Sequence, residues 1–425
     1  MTDARSTVTD APPDVSVIIP TFEREDELEQ TLASLTEQTT SMRFEIVVAD
    51  DGSAGDTVAV VRGFESRLDL VYTRQKDTGF RLSAARNLGA RASRGRTLIF
   101  LDCGTLAGPS LVESHGRRVE AGRRATTGPT FGWDLSGADA VRFREIVRGS
   151  GWQERHEQMS DHPLHRDYRS EKWLDVFERR VPLALPWRFF WGRNIGVARS
   201  DYDAAGGFDE RFASYGVEDV EFGYRLQRRG VELGWSEDAW AVELPSISED
   251  AAAQAEQNRA NLARWADRCT DLQIEFFVCN RPLPQLEQPE WERIERWSAS
   301  ATNSRDDLDV LVRASRTSDS MLFVGSMVGA PHSRSVVTLG PGFPIGTLSW
   351  ADCLERSTQE PVDVNAIGIR AGFADRSFDT VYISDAMAPL AATWGEHLLR
   401  TARRCGRGVQ LGRAFSAALS ESGVV

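Results

Sequence analysis

Two adjacent acids, Glu218 and Asp219, stand where a helical pattern opens in the run GGFDERFASYGVEDVEFGYRL, residues 206–226. Gly206, Gly207 and Gly216 break the chain ahead of them. A carboxylate in a first helical turn is stabilised as the anion by the helix dipole, and an ionised carboxylate is what a general base requires. Acids also occupy first turns merely to cap N–H groups. Other residues add further chemistry. Asp50-Asp51-Gly52-Ser53 follows an apolar run, where carboxylates accept hydrogen bonds from a ribose or a base N–H, or simply form an Asp-Gly turn. Arg81 and Arg86 lie near the start of a helical pattern after Lys76-Asp77-Thr78-Gly79-Phe80, a setting that suits a diphosphate through helix N–H groups and a guanidinium fork. Asp102-Cys103-Gly104 ends another apolar run. In PWRFFWGRNIGVARS, residues 186–200, Trp191 and Asn194 are expected to line a cleft for a sugar ring, with Phe189 and Ile195 in the core.

These motifs, in this order over about residues 14–245, resemble family 2 inverting glycosyltransferases of the GT-A fold, above all bacterial chondroitin-synthase-type domains. The resemblance implies that Asp219 deprotonates an acceptor hydroxyl, with Glu218 on acceptor or donor hydroxyls. It implies that Thr21, Glu23 and Asp51 hold the nucleoside of a nucleotide sugar, most simply a UDP-sugar, with Asp77, Arg86 and Asp102 completing the donor site; Glu23 stands where the family often has Asn. It further implies a divalent cation, Mn2+ or Mg2+, across the donor diphosphate. The family's Asp-x-Asp motif has Gly104 as its second member here, and Glu243 stands on a strand where relatives carry a metal-binding His, so Asp102 and Glu243 are the candidate metal ligands. A non-catalytic binding protein of the same fold is the alternative.

The elements that must position these residues are legible as alternating strands and helices. Val15–Ile19, Glu45–Ala49, Leu70–Thr73 and Thr97–Leu101 are short apolar runs with polar residues at their carboxyl ends, and helical spacing starts at Leu28 and Leu82. That pattern predicts an α/β fold with a mostly parallel, Rossmann-like sheet and ligands at the strand ends. Residues 129–186 hold Trp133, Trp152, Trp173, His156, His162 and His165 without matching cysteines or acids, which reads as an acceptor-side loop rather than a metal site.

The chain has 425 residues with 41% hydrophobic and 27% charged residues, a soluble globular composition long enough for two domains. A net charge of −13 argues against nucleic acid as a partner. The five scattered cysteines suit reduced thiols in a cytoplasm, and no apolar run matches a signal peptide or a membrane span. The expected organisation is a tail at 1–13, a catalytic domain at 14–270 (14–128 for the donor, 129–245 for the acceptor), a linker at 271–306, and a small Rossmann-like module at 307–425. A helix within 248–268 is expected to pack back on the catalytic domain through Leu262 and Trp265.

In the module, Ser335–Leu339 reads as a strand entering the Gly340-Pro341-Gly342 turn, and the 374–382 stretch resembles a later strand of class I methyltransferases. Pro344 disturbs the usual cofactor loop, so a structural role, a protein partner or a homo-oligomer contact is expected there, with methyl transfer as the alternative. The acceptor is open among saccharide, peptide and small molecule.

Overall fold

The computed structural model describes residues 12–122, 124–132, 135, 137–149, 167, 169–170, 185–244, 251–280, 287–330, 333–343 and 349–423. Strand and helix alternate from the start: β1 (Val15–Thr21), α1 (Glu25–Leu35), β2 (Phe44–Asp50), α2 (Thr57–Arg62), β3 (Leu70–Arg74), α3 (Leu82–Ala92) and β4 (Thr97–Leu101). Crossover helices impose parallel pairing, and β3-β2-β1-β4 are parallel neighbours. Side chains of β1 alternate between faces. Val15, Val17 and Ile19 join Leu28, Leu32 and Leu35 of α1 in one core, while Ile18 lies against Gly89 of α3 on the other face. Each such fully buried branched side chain contributes about 1.5–3 kcal/mol.

The chain then runs through β5 (Thr105–Ala107), α4 (Leu111–Glu120), β6 (Arg124–Thr127), β7 (Thr130–Phe131), α5 (Gly137–Gly149), β8 (Asn194–Ala198), α6 (Arg199–Ala205), α7 (Glu218–Arg228), β9 (Glu232–Trp235), β10 (Ala241–Glu243) and α8 (Ala251–Arg268). The large sheet is completed in the order β3-β2-β1-β4-β8-β6-β9, with β8 antiparallel to β4 and β6, and β5-β10-β7 form a small second sheet. This is the mostly parallel α/β architecture expected from sequence. The tryptophans and histidines at 133, 152, 156, 162, 165 and 173 lie outside the described residues.

Two compact units divide the chain, Met1–Asn261 and Leu262–Val425. The division falls inside α8, ahead of the expected boundary at 270. Trp265 lies in the second unit, where it meets Phe277 with ring centroids 6.3 Å apart. The expected linker is also corrected. Within 271–306 lie α9 (Leu272–Asn280) and α10 (Glu287–Ser300), and their aromatic residues are core: Phe276 meets Trp291 at 5.2 Å, and Trp297 Nε1 donates to Ala386 O at 2.7 Å. Those rings bury too much apolar surface for a solvated tether.

The second unit continues with α11 (Arg305–Ala314), β11 (Met321–Val324), β12 (Val336–Gly340), α12 (Trp350–Ser357), β13 (Val362–Asn365), β14 (Phe378–Ile383), α13 (Ala391–Cys405), β15 (Gly406–Leu411) and α14 (Arg413–Glu421). Its five strands are all parallel, ordered β13-β12-β11-β14-β15. The strand leading into Gly340 is the second of this sheet in chain order; Pro344 lies outside the described residues.

Candidate active site

At the carboxyl ends of β1, β2 and β4 lies a cleft of about 480 Å³ bordered by Thr21, Asp51, Asp77 and Asp102, four of the residues expected to hold the donor. Register explains the meeting: Thr21 pairs with Asp50 across β1 and β2, and Asp51 N–H donates to Thr21 O at 2.9 Å. Asp51 Oδ1 accepts from Gln75 Nε2 at 2.5 Å and Oδ2 from the Arg81 N–H at 2.9 Å. Burial raises its carboxyl above the ordinary value against those two bonds. Asp50, by contrast, is structural: one oxygen accepts from Gly52 N–H, Ser53 N–H and the Ser53 hydroxyl, the other from Tyr72. Glu23 is exposed and ties two loops together, its N–H on Ser53 Oγ at 2.9 Å and its Oε1 on the Ala54 N–H at 2.5 Å. Asp77 accepts from Gly79 N–H at 2.9 Å. Phe22 and Phe80 are large exposed apolar residues on the same cleft.

Behind Asp102 the acids of α7 meet the sheet. Phe222, fully buried, packs on Phe208 with centroids 4.6 Å apart and on Tyr202, and Glu218 lies one turn earlier on the same helix face. Glu218 thereby reaches Arg86: Nη1 donates to Glu218 Oε1 at 3.0 Å and Nη2 to Asp102 Oδ1 at 2.8 Å. Arg86 is 1% exposed, so its fork is turned on two protein carboxylates rather than presented to the cleft as the sequence suggests. Burial opposes its charge, but Asp102 and Glu218 outweigh that and raise its pKa. Glu218 is raised by burial first and by the Asp219 charge second, against the pull of Arg86.

Asp219 keeps partial exposure while Glu218 is buried. Its Oδ2 accepts from Gly192 N–H at 2.8 Å and its Oδ1 from Val220 N–H at 2.7 Å. Gly192 has no room for more, since a Cβ there would lie 2.8–3.0 Å from the Arg86 guanidinium. Val217, just before the acids, holds φ 83, a left-handed conformation costly for a β-branched residue. The preceding turn is gripped from α8: Asn261 Nδ2 donates to the carbonyls of Ser214, Tyr215 and Gly216 at 3.0, 3.2 and 2.9 Å, and Gln257 Oε1 accepts from Tyr215 N–H.

Expectations for the acceptor side are partly corrected. Phe189 and Ile195 are buried as expected. Asn194 does not line a cleft; it is wholly buried, its amide donating to Ala239 O at 2.7 Å and Pro129 O at 3.3 Å, its Oδ1 2.9 Å from His115 Nε2. Trp191 is half-buried, with the Arg169 guanidinium 4.4 Å from its ring centroid and Nε1 donating to Arg188 O. Tyr215, exposed and close enough to Arg193 and Asp219 to feel their charges, escaped notice in the sequence, as did Gln75 and Arg24. Burial pushes the Cys103 thiol up to about 11.

Family models match two consecutive stretches: glycosyl transferase family 2 on residues 16–175 and the N-terminal domain of galactosyltransferase on residues 174–243. Validoxylamine A glucosyltransferase of Streptomyces hygroscopicus subsp. jinggangensis (strain 5008) is 31% identical over 405 residues, covering 92% of this chain and 95% of its own. The chain belongs to glycosyltransferase family 2. Chondroitin synthase of Escherichia coli is 30% identical over 388 residues, 81% of this glycosyltransferase and 55% of that protein. Among solved structures, S. aureus TarS 1–349 in complex with UDP-GlcNAc aligns over 67% of this chain and 72% of its own, at 14% identity and a TM-score of 0.43.

A hard divalent cation needs several oxygen ligands. In this glycosyltransferase Asp102 and Glu243 are close enough for the Asp102 charge to add to the burial that raises the Glu243 carboxyl, yet each is held by its own arginine, Asp102 by Arg86 and Glu243 by Arg193. Gly104, at φ 90, brings no ligand between them. Among the described residues no group of three or more His, Cys, Asp or Glu could hold a metal. The described residues at this turn do not fit a resident cation. Among the described residues, too, no helix is long and apolar enough to cross a membrane.

Proposed function

We propose that this enzyme transfers a hexosyl group from a UDP-sugar to a hydroxyl of a small polyhydroxylated acceptor, with inversion, and that Asp219 is the base. The observation that carries this reading is the position of Asp219, partly exposed, pinned by Gly192 N–H at 2.8 Å and joined through Glu218, Arg86 and Asp102 to the edge of the cleft. The acceptor oxygen attacks the anomeric carbon, its proton passes to Asp219, and the bond from that carbon to the diphosphate oxygen breaks with its electron pair leaving on the diphosphate. Thr21, Asp51 and Asp77 border the space for the nucleoside. Glu218 and Arg86 act as positioning residues, because both are buried against each other. A small acceptor is favoured over a polymer by the nearly full-length match to an enzyme whose name gives validoxylamine A.

The second unit is read as a structural part of the same enzyme. An alignment covering 92% of this chain with that glucosyltransferase necessarily includes most of Leu262–Val425. Its second strand ends on Gly340, where a dinucleotide-binding sheet carries the acid that holds a ribose. Both features count against methyl transfer.

The test is donor hydrolysis. Incubation with a panel of UDP-sugars should release UDP slowly from one of them, and an acceptor panel of small polyols should accelerate that release. No release from any nucleotide sugar would return the chain to a binding role.

A further inference from the structure

We propose that Arg24 binds the donor diphosphate and supplies the positive charge for its departure, so that this cleft works without a divalent cation. The inference rests on the nucleotide-sugar reading above and adds the source of the neutralising charge.

Three arginines surround the Asp102-Cys103-Gly104 turn, and they are not equivalent. Arg86 is wholly buried with both terminal nitrogens on carboxylates, and Arg193 is committed to Glu243. Arg24 borders the cleft itself, beside Thr21, Asp102 and Cys103. Among the described residues its one ion pair is with Glu27 on the next helical turn, at 3.8 Å, and its side chain is 34% exposed. An arginine with so weak a partner keeps its fork available for a bidentate anion.

Gly104 shows why the guanidinium can sit there. A Cβ built on Gly104 would lie 2.9 Å from Arg24 Nη2, so the volume that a side chain at 104 would enter is the volume Arg24 fills. A fixed cation stands beside Asp102 where an acid at 104 would have added a second negative charge. The other nearby acid, Glu243, also feels the Arg24 charge. Among the described residues that border the cleft Arg24 is the one cation, beside Asp51, Asp77 and Asp102, so a diphosphate entering there meets positive charge at Arg24. As the bond to the diphosphate breaks, the growing negative charge on its terminal oxygen is met by this guanidinium, and the acceptor proton still goes to Asp219.

The experiment is titration calorimetry on the full-length chain, with UDP and GDP as probes, in EDTA and in Mn2+ or Mg2+. The parent should bind UDP with affinities that differ by less than about threefold between EDTA and metal. Arg24→Ala should weaken binding in EDTA by roughly tenfold or more, with Arg24→Lys between the two, because an ammonium keeps charge but loses the fork. Melting temperatures without nucleotide should be unchanged, since Arg24 makes one weak surface pair. Binding by the parent that requires metal, or Arg24→Ala binding as the parent does, overturns the proposal while leaving the nucleotide-sugar reading intact. Failure of UDP and GDP to bind under every condition sinks that reading and the proposal with it.

Discussion

Arg86 and Glu218, 132 residues apart in the chain, form a buried ion pair of 3.0 Å whose side chains are 1% and 7% exposed. Such a pair is costly to break from one side, because the remaining charge stays buried. Arg86→Met should lower stability by about 3–5 kcal/mol, read as a shift of the urea midpoint. Glu218→Gln should cost less, since its amide oxygen still accepts from Arg86. Equal losses in the two variants would show that packing, not the buried charge, dominates.

Asp219→Asn keeps the shape of the side chain and one of its two N–H contacts, since the amide nitrogen cannot accept, while removing its capacity to take a proton. Turnover should fall by about 10²–10⁴-fold, with UDP affinity unchanged in calorimetry. An affinity that falls in parallel with turnover would assign Asp219 to donor binding.

Gly192 touches both halves of the acid cluster, its N–H on Asp219 and its α-carbon against Arg86. Gly192→Ala should push the guanidinium off Asp102 and cost about 1–3 kcal/mol of stability. A loss in kcat larger than that in donor affinity is expected, and wild-type kinetics would refute the close approach.

A pH effect follows from His115, buried between Asn194 and Thr126 with hydrogen bonds of 2.9 and 2.7 Å. Burial lowers its pKa from 6.5 to about 4, so the folded ring stays neutral where the unfolded one is charged. Its contribution is complete above about pH 6.5 and is lost as pH falls toward 4, roughly 3 kcal/mol in all. Denaturant melts of the parent across that window should show the slope, and His115→Gln should flatten it. An unaltered slope in the variant would place the titration elsewhere.

The strand ends were readable because four apolar runs each stop at polar residues, and a parallel sheet brings those ends together whatever the intervening helices are. Pattern alone therefore put Thr21, Asp51 and Asp102 at those ends, while the donor-binding role expected of them came from the resemblance to family 2 glycosyltransferases. Asn194 was misread because an amide beside an aromatic run looks the same whether it meets a sugar or two buried carbonyls. Arg24 was missed for a related reason: in Arg24-Glu25-Asp26 it reads as a solvated helix start, and only Gly104, far away in sequence, makes the space that gives it a role. Proline-rich sequence obscured α9 and α10, although Trp291 and Trp297 were the signal that the segment is core.

The three carbonyls held by Asn261 have a practical implication for shortening the protein. A fragment stopped just after Glu243 would retain every described strand of the first unit and all residues bordering the cleft, yet the turn at Ser214–Gly216 that leads into Glu218 would lose its three bonds from Asn261. Such a fragment is a natural reagent for separating donor capture from sugar delivery: one function retained, the other uncoupled.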